Sequence, residues 1–384
     1  MKICFILPGA YPLFNKKNKF PFGGAEVQLS LLAKILAKKK DLDVHFVVYD
    51  HGQNKVEKYD LVNVWKAYRV NTGFIKKNLI LFSVIKKIDA DAYITRGIGI
   101  LSSLSFFITL YCRLKKKKFI FMLAHDDEAE NLNRLGTEIF IRVAKACLFK
   151  KADIRYQISK LIFKITSKYF QLVVCQNINQ YHNLKTYLPK NKLVIVKKGI
   201  DFQSIQHSTI KKKWDAIWVG RCEVWKKGEI FLEMAKGNPS LNFAMVCTSN
   251  AGNSSFEKIK NEAEQISNLD FCDFVSNEEV YEYLRNSKVF CITSLKEGDW
   301  PMTVLEAMAH KLPIISYTLD YGNILKDKKC GFCCYNKEEL LGEYLRELIK
   351  DNKLYEEMSE NAYNYVRETH DIKKNSLELL KAIS

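Results

Sequence analysis

The sequence predicts an α/β protein of two domains, each built on a doubly wound parallel sheet. Three observations lead to this prediction. The chain has 384 residues, which is enough for two domains with separate hydrophobic cores. Short apolar runs rich in Val, Ile and Phe recur along it and alternate with longer helical patterns, as in successive βαβ units. These runs are apolar throughout, which is typical of strands buried on both faces of a parallel sheet.

The apolar runs provide about two sheets' worth of strands. The predicted strands are 2–7, 44–49, 92–95, 119–124, 172–175 and 193–196 in the first half, and 216–219, 243–247, 271–275, 289–293 and 313–317 in the second. The strand pattern breaks near 197–201, where the charge balance also changes sign. We therefore predict an N-terminal domain over 1–198 and a C-terminal domain over 199–367, followed by a final helix at about 368–384.

The composition is that of a globular protein, with 47% apolar and 12% aromatic residues. Its charge is uneven: the first 200 residues carry 36 Lys and Arg against 14 Asp and Glu, whereas the remainder carries 24 against 29. Such asymmetry suggests that the first half faces an anionic membrane, nucleic acid or acidic acceptor. A lysine-rich solvated surface is the other interpretation, and it leaves the acidic second half unexplained. We find no nucleic-acid recognition motif.

No apolar run reaches the roughly 20 residues that a membrane-spanning helix needs. The nearest run, 97–112, is predicted to be a buried helix whose basic end, 113–118, contacts lipid phosphates. A basic stretch over 142–168 fits a helix pair on anionic lipid as well as an ordinary solvated face. The first strand is too short to be a signal peptide. We expect a cytoplasmic protein with peripheral contact at the inner face of the membrane.

The eleven cysteines are scattered through apolar runs, as expected of reduced core residues in a cytosolic protein. One CxxC pair, Cys330 and Cys333, has no second pair or histidine partner and does not predict a metal site.

The strongest motif runs from Ser294 to Ala309, directly after the predicted strand 289–293. It therefore lies at the carboxyl end of a parallel strand, where such sheets bind ligands. Pro301 suits the first turn of a helix, and the three backbone N–H groups of Met302, Thr303 and Val304 would face a diphosphate. Glu306, one turn further on, is suited to the two hydroxyls of a ribose. Glu297 lies in the preceding loop, from which it would reach another part of the ligand.

Three further signals accompany this motif. Arg221 ends a predicted strand, and Lys226-Lys227 follow; two cations there would neutralise a diphosphate leaving group without a metal. The paired glycines Gly23-Gly24 would allow the backbone to approach a phosphate closely. His125 ends the strand 119–124, where a histidine either hydrogen-bonds a sugar or lies in a solvated loop.

At these residues the sequence resembles the retaining GT-B glycosyltransferases typified by glycosyltransferase family 4. The shared patterns are "EGxPxxxLEAMAxGxPVI", "GRxxxxKG" and "GGAE". Two departures occur: Asp299-Trp300 places eight residues between the acids where the family has seven, and one extra residue precedes Lys227. Asp299 is therefore the alternative to the first acid, and Lys226 the alternative to Lys227. Lys311 also occupies a position where the family usually has Gly.

The resemblance implies two Rossmann-like domains facing each other across a cleft, with the last helix returning to the N-terminal domain. It implies catalytic roles at the donor sugar for Glu297 and His125. It implies donor binding by the following residues: Gly23, Gly24, Arg221, Lys227, Thr303 and Glu306.

The predicted function is transfer of a sugar from a nucleoside diphosphate sugar with retention of anomeric configuration. Among the possible donors, a UDP-sugar is the one we expect. The acceptor is expected to be a glycan or lipid-linked glycan in the synthesis of a bacterial-type surface polysaccharide or glycoconjugate. No cofactor, metal or nucleic-acid partner is expected. Two alternatives stay open: a nucleotide-sugar epimerase of the same fold, and a non-catalytic membrane- or glycan-binding protein.

Overall fold

The computed structural model describes residues 1–97, 102–124, 126, 128, 165–205, 211–248, 254–273 and 275–384. The chain forms two compact units: unit 1 comprises Met1–Gly199 and Ile372–Ser384, and unit 2 comprises Ile200–Asp371. The predicted break at 198/199 differs from this division by one residue.

Fourteen strands are present in the described part of the chain. In chain order they are β1 (Lys2–Ile6), β2 (Asp43–Val48), β3 (Val56–Tyr59), β4 (Val62–Lys66), β5 (Ala92–Arg96), β6 (Lys118–Met122), β7 (Leu172–Cys175), β8 (Leu193–Ile195), β9 (Trp214–Arg221), β10 (Phe243–Thr248), β11 (Leu269–Cys272), β12 (Ser287–Ile292), β13 (Ile314–Ser316) and β14 (Gly331–Cys333). All neighbouring strands are parallel except β3 and β4, which form an antiparallel edge.

The helices of the described residues are numbered in the same way. They are α1 (Gly24–Ala37), α2 (Phe74–Ile88), α3 (Ser102–Leu114), α4 (Ile178–Leu184), α5 (Gly228–Lys236), α6 (Ser254–Ala263), α7 (Asn277–Arg285), α8 (Met302–Ala309), α9 (Ile324–Asp327), α10 (Glu339–Lys350), α11 (Asn352–Thr369) and α12 (Ile372–Ile383). None of these helices is long and apolar enough to cross a bilayer.

Unit 1 is built on an eight-stranded sheet in the order β3-β4-β2-β1-β5-β6-β7-β8. Its strands are apolar on both faces because helices cover both, and Phe5, Phe46 and Phe121 are fully buried. The last helix, α12, belongs to this core through Ile372 and Leu379. The order reverses between β1 and β5, which are neighbours in space but not in sequence.

Unit 2 is built on a six-stranded sheet in the order β11-β10-β9-β12-β13-β14. From β9 the chain first builds the sheet outward through β10 and β11, and then returns to the other side of β9 with β12. The gap between β9 and β12 is therefore the topological switch point of this sheet, at whose carboxyl edge such folds bind ligands.

The predicted two-domain α/β architecture is confirmed, and each of the eleven predicted strands overlaps an observed one. Three strands were missed: β3, β4 and β14. β3 has two adjacent charged residues, β4 has Asn63 between two valines, and β14 is a three-residue edge strand that begins with Gly331. These three strands therefore lack the longer continuous apolar runs on which the prediction depends.

Two expectations need correction. The run at 97–112 was predicted to be a buried helix, but α3 exposes large apolar side chains on its outer face, among them Leu110 and Leu114. The cysteines were expected to be reduced, but Cys222 and Cys247 form a disulfide between the ends of β9 and β10. The two cysteines of the CxxC pair, Cys330 and Cys333, are not disulfide-bonded.

Candidate functional site

Two of the sequence motifs lie at the switch point of unit 2. β9 ends at Arg221 and leads into a short 3-10 helix over Val224–Lys226. Its neighbour β12 leads into the loop that carries Glu297, and then into α8. Since β9 and β12 are parallel neighbours, both motifs leave the sheet at the same edge. The structure therefore brings the two motifs together.

The centre of this edge is an ion pair between the Lys226 ammonium and the Glu297 carboxylate, whose side chains are 16% and 12% exposed. The Lys226 backbone is fixed by Thr293, whose hydroxyl donates to its carbonyl at 2.7 Å. The Thr293 oxygen in turn accepts a hydrogen bond from Trp218 Nε1 at 2.9 Å. Tyr321 fixes the other partner, because its hydroxyl donates to the Glu297 carbonyl at 2.7 Å. Both charges are thus held in place by neighbouring groups.

The adjacent lysine has different surroundings. Lys227 has a left-handed backbone, with φ of 53°, immediately before α5. Its ammonium lies 3.1 Å from Glu229 Oε1 on that helix. The structure therefore brings Lys226, the alternative, to the first acid, whereas the predicted donor-binding lysine, Lys227, pairs with Glu229. The contact of either lysine with a donor stays a prediction.

Arg221 is the more exposed cation of the site. Its side chain is 44% exposed, and its guanidinium lies 3.9 Å from Glu223. The next residue, Cys222, donates its backbone N–H to Thr248 at 2.8 Å and is disulfide-bonded to Cys247. The turn that presents Arg221 is consequently tied to β10 by a hydrogen bond and a covalent bond.

The helix α8 begins beside these charges. Pro301 is its N-cap rather than a residue of its first turn, and Thr303 lies within that turn. Val304, the last of the three expected diphosphate donors, donates its N–H to the Pro301 carbonyl at 3.1 Å. The backbone N–H groups at the start of α8 that stay available for a diphosphate are therefore those of Met302 and Thr303, the first two residues of the helix.

Glu306 lies on α8 and is 2% exposed. Tyr281 donates its hydroxyl to Glu306 Oε1 at 3.5 Å, and His310 Nδ1 lies 2.8 Å from the Glu306 carbonyl oxygen. Burial raises the pKa of the Glu306 carboxyl to about 8. The carboxyl is therefore mostly protonated at neutral pH. Ribose binding by Glu306 stays a prediction.

The two residues at the expanded part of the motif are internal. Asp299 and Trp300 are 8% and 1% exposed, and the Trp300 ring meets the Tyr321 ring edge-on at 5.4 Å. Tyr321 in turn donates to the Glu297 carbonyl. The buried Trp300 ring therefore stabilises the loop that carries Glu297 through its contact with Tyr321. Sequence reasoning missed Tyr321, Thr293 and Tyr281, which lie outside the family patterns and have no distinctive local signature.

Unit 1 contains the remaining predicted residues. Gly23 is the N-cap of α1, and its N–H donates to Glu26 Oε2 at 3.0 Å. A Cβ on Gly23 would lie 3.3 Å from that oxygen, and one on Gly9 would lie 3.1 Å from the other. The glycines therefore make room for the Glu26 carboxylate, and Gly24 begins the helix. His125 lies outside the described residues.

One cavity of unit 2, of about 450 Å³, contains none of the predicted site residues. It is lined by Phe332 of β14, by Asp320, and by residues of α9, α10 and α11 such as Leu325, Tyr344 and Met358.

Comparison with known proteins connects unit 2 to a family. Residues 200–365 match the family described as glycosyl transferases group 1. An uncharacterized glycosyltransferase of Haemophilus influenzae is 30% identical over 190 residues, which are 48% of this chain and 49% of that protein. The match thus spans about half the length of that relative. An uncharacterized glycosyltransferase of Methanocaldococcus jannaschii is 23% identical over 395 residues, which cover 94% of each chain.

Two solved structures resemble the whole chain. Sucrose-phosphate synthase from Thermosynechococcus elongatus has a TM-score of 0.75 at 14% identity, covering 99% of this chain and 98% of its own. Anabaena HepE, in complex with UDP and glucose, has a TM-score of 0.72 at 13% identity, covering 100% and 99%. The fold is GT-B. The two structures show the fold, and the match of residues 200–365 to glycosyl transferases group 1 is what supports glycosyl transfer.

Proposed function

We propose that the chain is a retaining glycosyltransferase of family 4 type, which transfers a sugar from a nucleoside diphosphate sugar to a glycan or lipid-linked glycan. The observation that carries this proposal is the Lys226–Glu297 ion pair at the switch point of unit 2. It lies on the edge where Arg221 ends β9 and where α8 begins. Cations, helix-start N–H groups and a carboxylate on one edge match the parts of a sugar diphosphate.

Each part of the donor has a proposed partner. Arg221, Lys226 and the N–H of Thr303 bind the diphosphate, Glu297 accepts hydrogen bonds from the sugar, and Glu306 takes the ribose. Lys227 is the alternative to Lys226. We propose a UDP-sugar as donor, since HepE was solved with UDP and with UDP-glucose. Neither metal nor cofactor enters the proposal, and Gly23, Gly24 and His125 contribute the contacts that the resemblance implies.

The proposed chemistry is a single exchange of bonds at the anomeric carbon. The acceptor hydroxyl oxygen forms a bond to that carbon while the bond from the carbon to the diphosphate oxygen breaks. The nucleoside diphosphate leaves with the bonding electrons, and Arg221 and Lys226 stabilise its growing charge. A departing phosphate oxygen takes the proton of the acceptor hydroxyl, so the new bond forms on the face that the diphosphate leaves. Configuration at the anomeric carbon is thereby retained.

The excess of basic residues in the first half of the chain is the basis for the proposed acceptor. The basic first half favours an anionic or lipid-linked glycan, met at the cytoplasmic face of a membrane. Synthesis of a surface polysaccharide or glycoconjugate of bacterial type is the process proposed.

The deciding experiment is a donor screen with UDP-, GDP- and ADP-sugars that measures release of the nucleoside diphosphate. We expect release with one base, retention of donor configuration in the product, and loss of donor affinity in Glu306→Ala by calorimetry. An epimerised sugar formed without acceptor would identify an epimerase instead. Failure to bind any of the three nucleotides would contradict the proposed UDP-sugar donor and the GDP- and ADP-sugar alternatives.

A further inference from the structure

The outer faces of α2 and α3 form a surface with unusual composition, which we call the α2–α3 surface. Surface helices of globular proteins normally turn polar side chains outward. Here eight large apolar side chains are more than a third exposed, with Ile75 and Leu114 at 74% and 73%. The eight are Phe74, Ile75, Leu79 and Phe82 on α2, and Phe106, Phe107, Leu110 and Leu114 on α3.

Each helix is apolar on two sides. On α2 the inner residues Leu81 and Ile85 are buried in the core of unit 1, while Ile75, Leu79 and Phe82 follow helical spacing along another side of the helix. On α3 the buried residues are Ile108, Tyr111 and Cys112, and the exposed series is Phe107, Leu110 and Leu114.

The two exposed series lie on one continuous surface. The Phe82 ring of α2 meets the Tyr111 ring of α3 edge-on at 5.7 Å, so the helices pack side by side. A continuous apolar area of this kind marks an interaction site rather than scattered surface residues.

The two segments that form this surface carry charges of one sign. The segments 70–88 and 92–118 contain no Asp or Glu. Together with Arg113, lysines of these segments lie near the ends of the two helices: Lys76, Lys77, Lys86, Lys87, Lys115 and Lys116. Lys118 instead donates to the carbonyls of Ile383 and Ser384. The acids between the two segments, Asp89 and Asp91, both pair with Lys117. Lys55 adds a further cation near α2, where its charge lowers the pKa of Lys87.

We propose that the α2–α3 surface binds an anionic lipid bilayer. The exposed Ile, Leu and Phe side chains enter the boundary of the acyl chains, and the surrounding Lys and Arg lie at the level of the lipid phosphates. The proposal goes beyond the proposed function, because binding to a bilayer does not require sugar transfer. It differs from the expectation at 113–118, since α2 and the apolar face of α3 make the main contact.

A bilayer fits this surface better than a second copy of the chain. A two-fold contact would place the same cations of both copies against each other. Within residues 70–97 and 102–118, as the structure describes them, Asp89 and Asp91 are the only acids that would offset them. Anionic headgroups instead meet cations near both ends of α2 and at the end of α3.

The test is flotation of the full chain with vesicles of phosphatidylcholine alone, and of phosphatidylcholine with an equimolar amount of phosphatidylglycerol. We expect binding to the anionic vesicles that weakens with added salt. Ile75→Ser with Leu79→Ser, and separately Leu110→Ser with Leu114→Ser, should each lower the partition coefficient at least about tenfold. Lys86→Gln with Lys87→Gln should lower it roughly fivefold for each lysine.

Matched controls come from exposed residues elsewhere in unit 1. Leu377→Ser replaces an exposed leucine of α12, and Lys38→Gln with Lys40→Gln replaces exposed lysines at the end of α1. Both should bind vesicles like the wild type. Thermal unfolding of every variant should match the wild type, because only exposed side chains are changed.

Three outcomes would overturn the proposal. The first is equal binding to both kinds of vesicle, and the second is unchanged binding in the two apolar variants. The third is a dimeric wild type without vesicle binding whose Ile75→Ser, Leu79→Ser variant is monomeric, which would assign the surface to self-association. Release of nucleoside diphosphate measured without lipid reports separately on the proposed transferase.

Discussion

Lys226 and Lys227 are consecutive residues whose side chains have different partners. Lys226 pairs with Glu297 in a largely buried position, whereas Lys227 pairs with Glu229 where its side chain is 32% exposed. The difference arises from the left-handed backbone at Lys227, which redirects the chain between the 3-10 helix and α5. Sequence spacing gives no indication of this turn. The family pattern favoured Lys227 because that residue directly precedes Gly228, as in "GRxxxxKG".

We expect the two lysines to differ in catalysis. Lys226→Gln should lower kcat/KM for the donor on the order of a hundredfold, because it removes a fixed cation from the leaving diphosphate. Lys227→Gln is the matched control and should change kcat/KM by less than about threefold. The measurement is release of nucleoside diphosphate under single-substrate kinetics. The reverse order of effects would return the donor-binding role to Lys227.

Glu306 should make the stability of unit 2 depend on pH. Its pKa is raised from 4.5 to about 8 by burial, so over this range the folded chain holds a proton that the unfolded chain has lost. The unfolding free energy is therefore highest below the unfolded pKa. It falls as the pH rises toward the folded pKa, by at most about 1.4 kcal/mol per pH unit.

Glu306→Gln should remove this part of the pH dependence, since the amide does not titrate. Urea unfolding at about pH 5 and about pH 8 measures it. Glu264→Gln, at an exposed position of the same unit, should keep the wild-type slope. An identical slope in Glu306→Gln and the wild type would show that this carboxyl keeps an ordinary pKa.

The end of α8 shows how a helix terminates without the expected glycine. Lys311 follows the C-cap His310 and has φ of 61°, the left-handed conformation that usually favours Gly at this position. Its ammonium lies 2.5 Å from Glu360 Oε2 and 5.3 Å from the Tyr363 ring centroid, so contacts with α11 offset the backbone strain.

Two substitutions of Lys311 separate the effect of backbone strain on stability from the effect of its side-chain contacts. Lys311→Gly and Lys311→Ala both lose the side-chain contacts, but only the alanine keeps a Cβ in the left-handed region. We expect Lys311→Gly to be more stable than Lys311→Ala by about 1 kcal/mol. Urea unfolding of the pair measures this difference. Equal stability would mean that α8 ends differently in solution.

At the level of elements, the sequence was most informative where burial is complete. Strands such as β1, β10 and β12 consist of continuous apolar runs, and the motif before α8 gave the start of that helix to within one residue. The covalent link between β9 and β10 could not be predicted, because it depends on which strands are neighbours. The ion pair at the switch point depends on tertiary contacts in the same way.

At the scale of the whole molecule, the chain leaves unit 1 at Gly199 and re-enters it at Ile372. A Cβ on Gly199 would lie 2.5 Å from the Ile372 Cα. Only glycine therefore allows the segment that leaves unit 1 and the segment that re-enters it to lie this close. Asn375 donates its side-chain N–H groups to the carbonyls of Lys197 and Lys198 at 3.0 and 2.9 Å. The helix α12 is thereby fixed to the end of the first segment.

The re-entering helix should be needed for the stability of unit 1. Leu379 is fully buried in its core, and Leu379→Ala should cost about 2–5 kcal/mol through lost burial and the cavity left behind. Leu377→Ala is the matched control on the same helix; this residue is 43% exposed, and its replacement should cost less than about 0.5 kcal/mol. Denaturant unfolding measures both. A small effect at Leu379 would mean that α12 does not belong to that core.

This arrangement makes unit 2 an insertion within unit 1. The two ends of the inserted segment are neighbours, since Ile200 pairs with Asp371 in a β-bridge and donates its N–H to the His370 carbonyl at 2.7 Å. Residues 200–371 are thus a cassette that one uninterrupted piece of coding sequence specifies. Evolution, or a protein engineer, can exchange this cassette between relatives through two cuts at adjacent points, leaving the fold of the host unit unaltered.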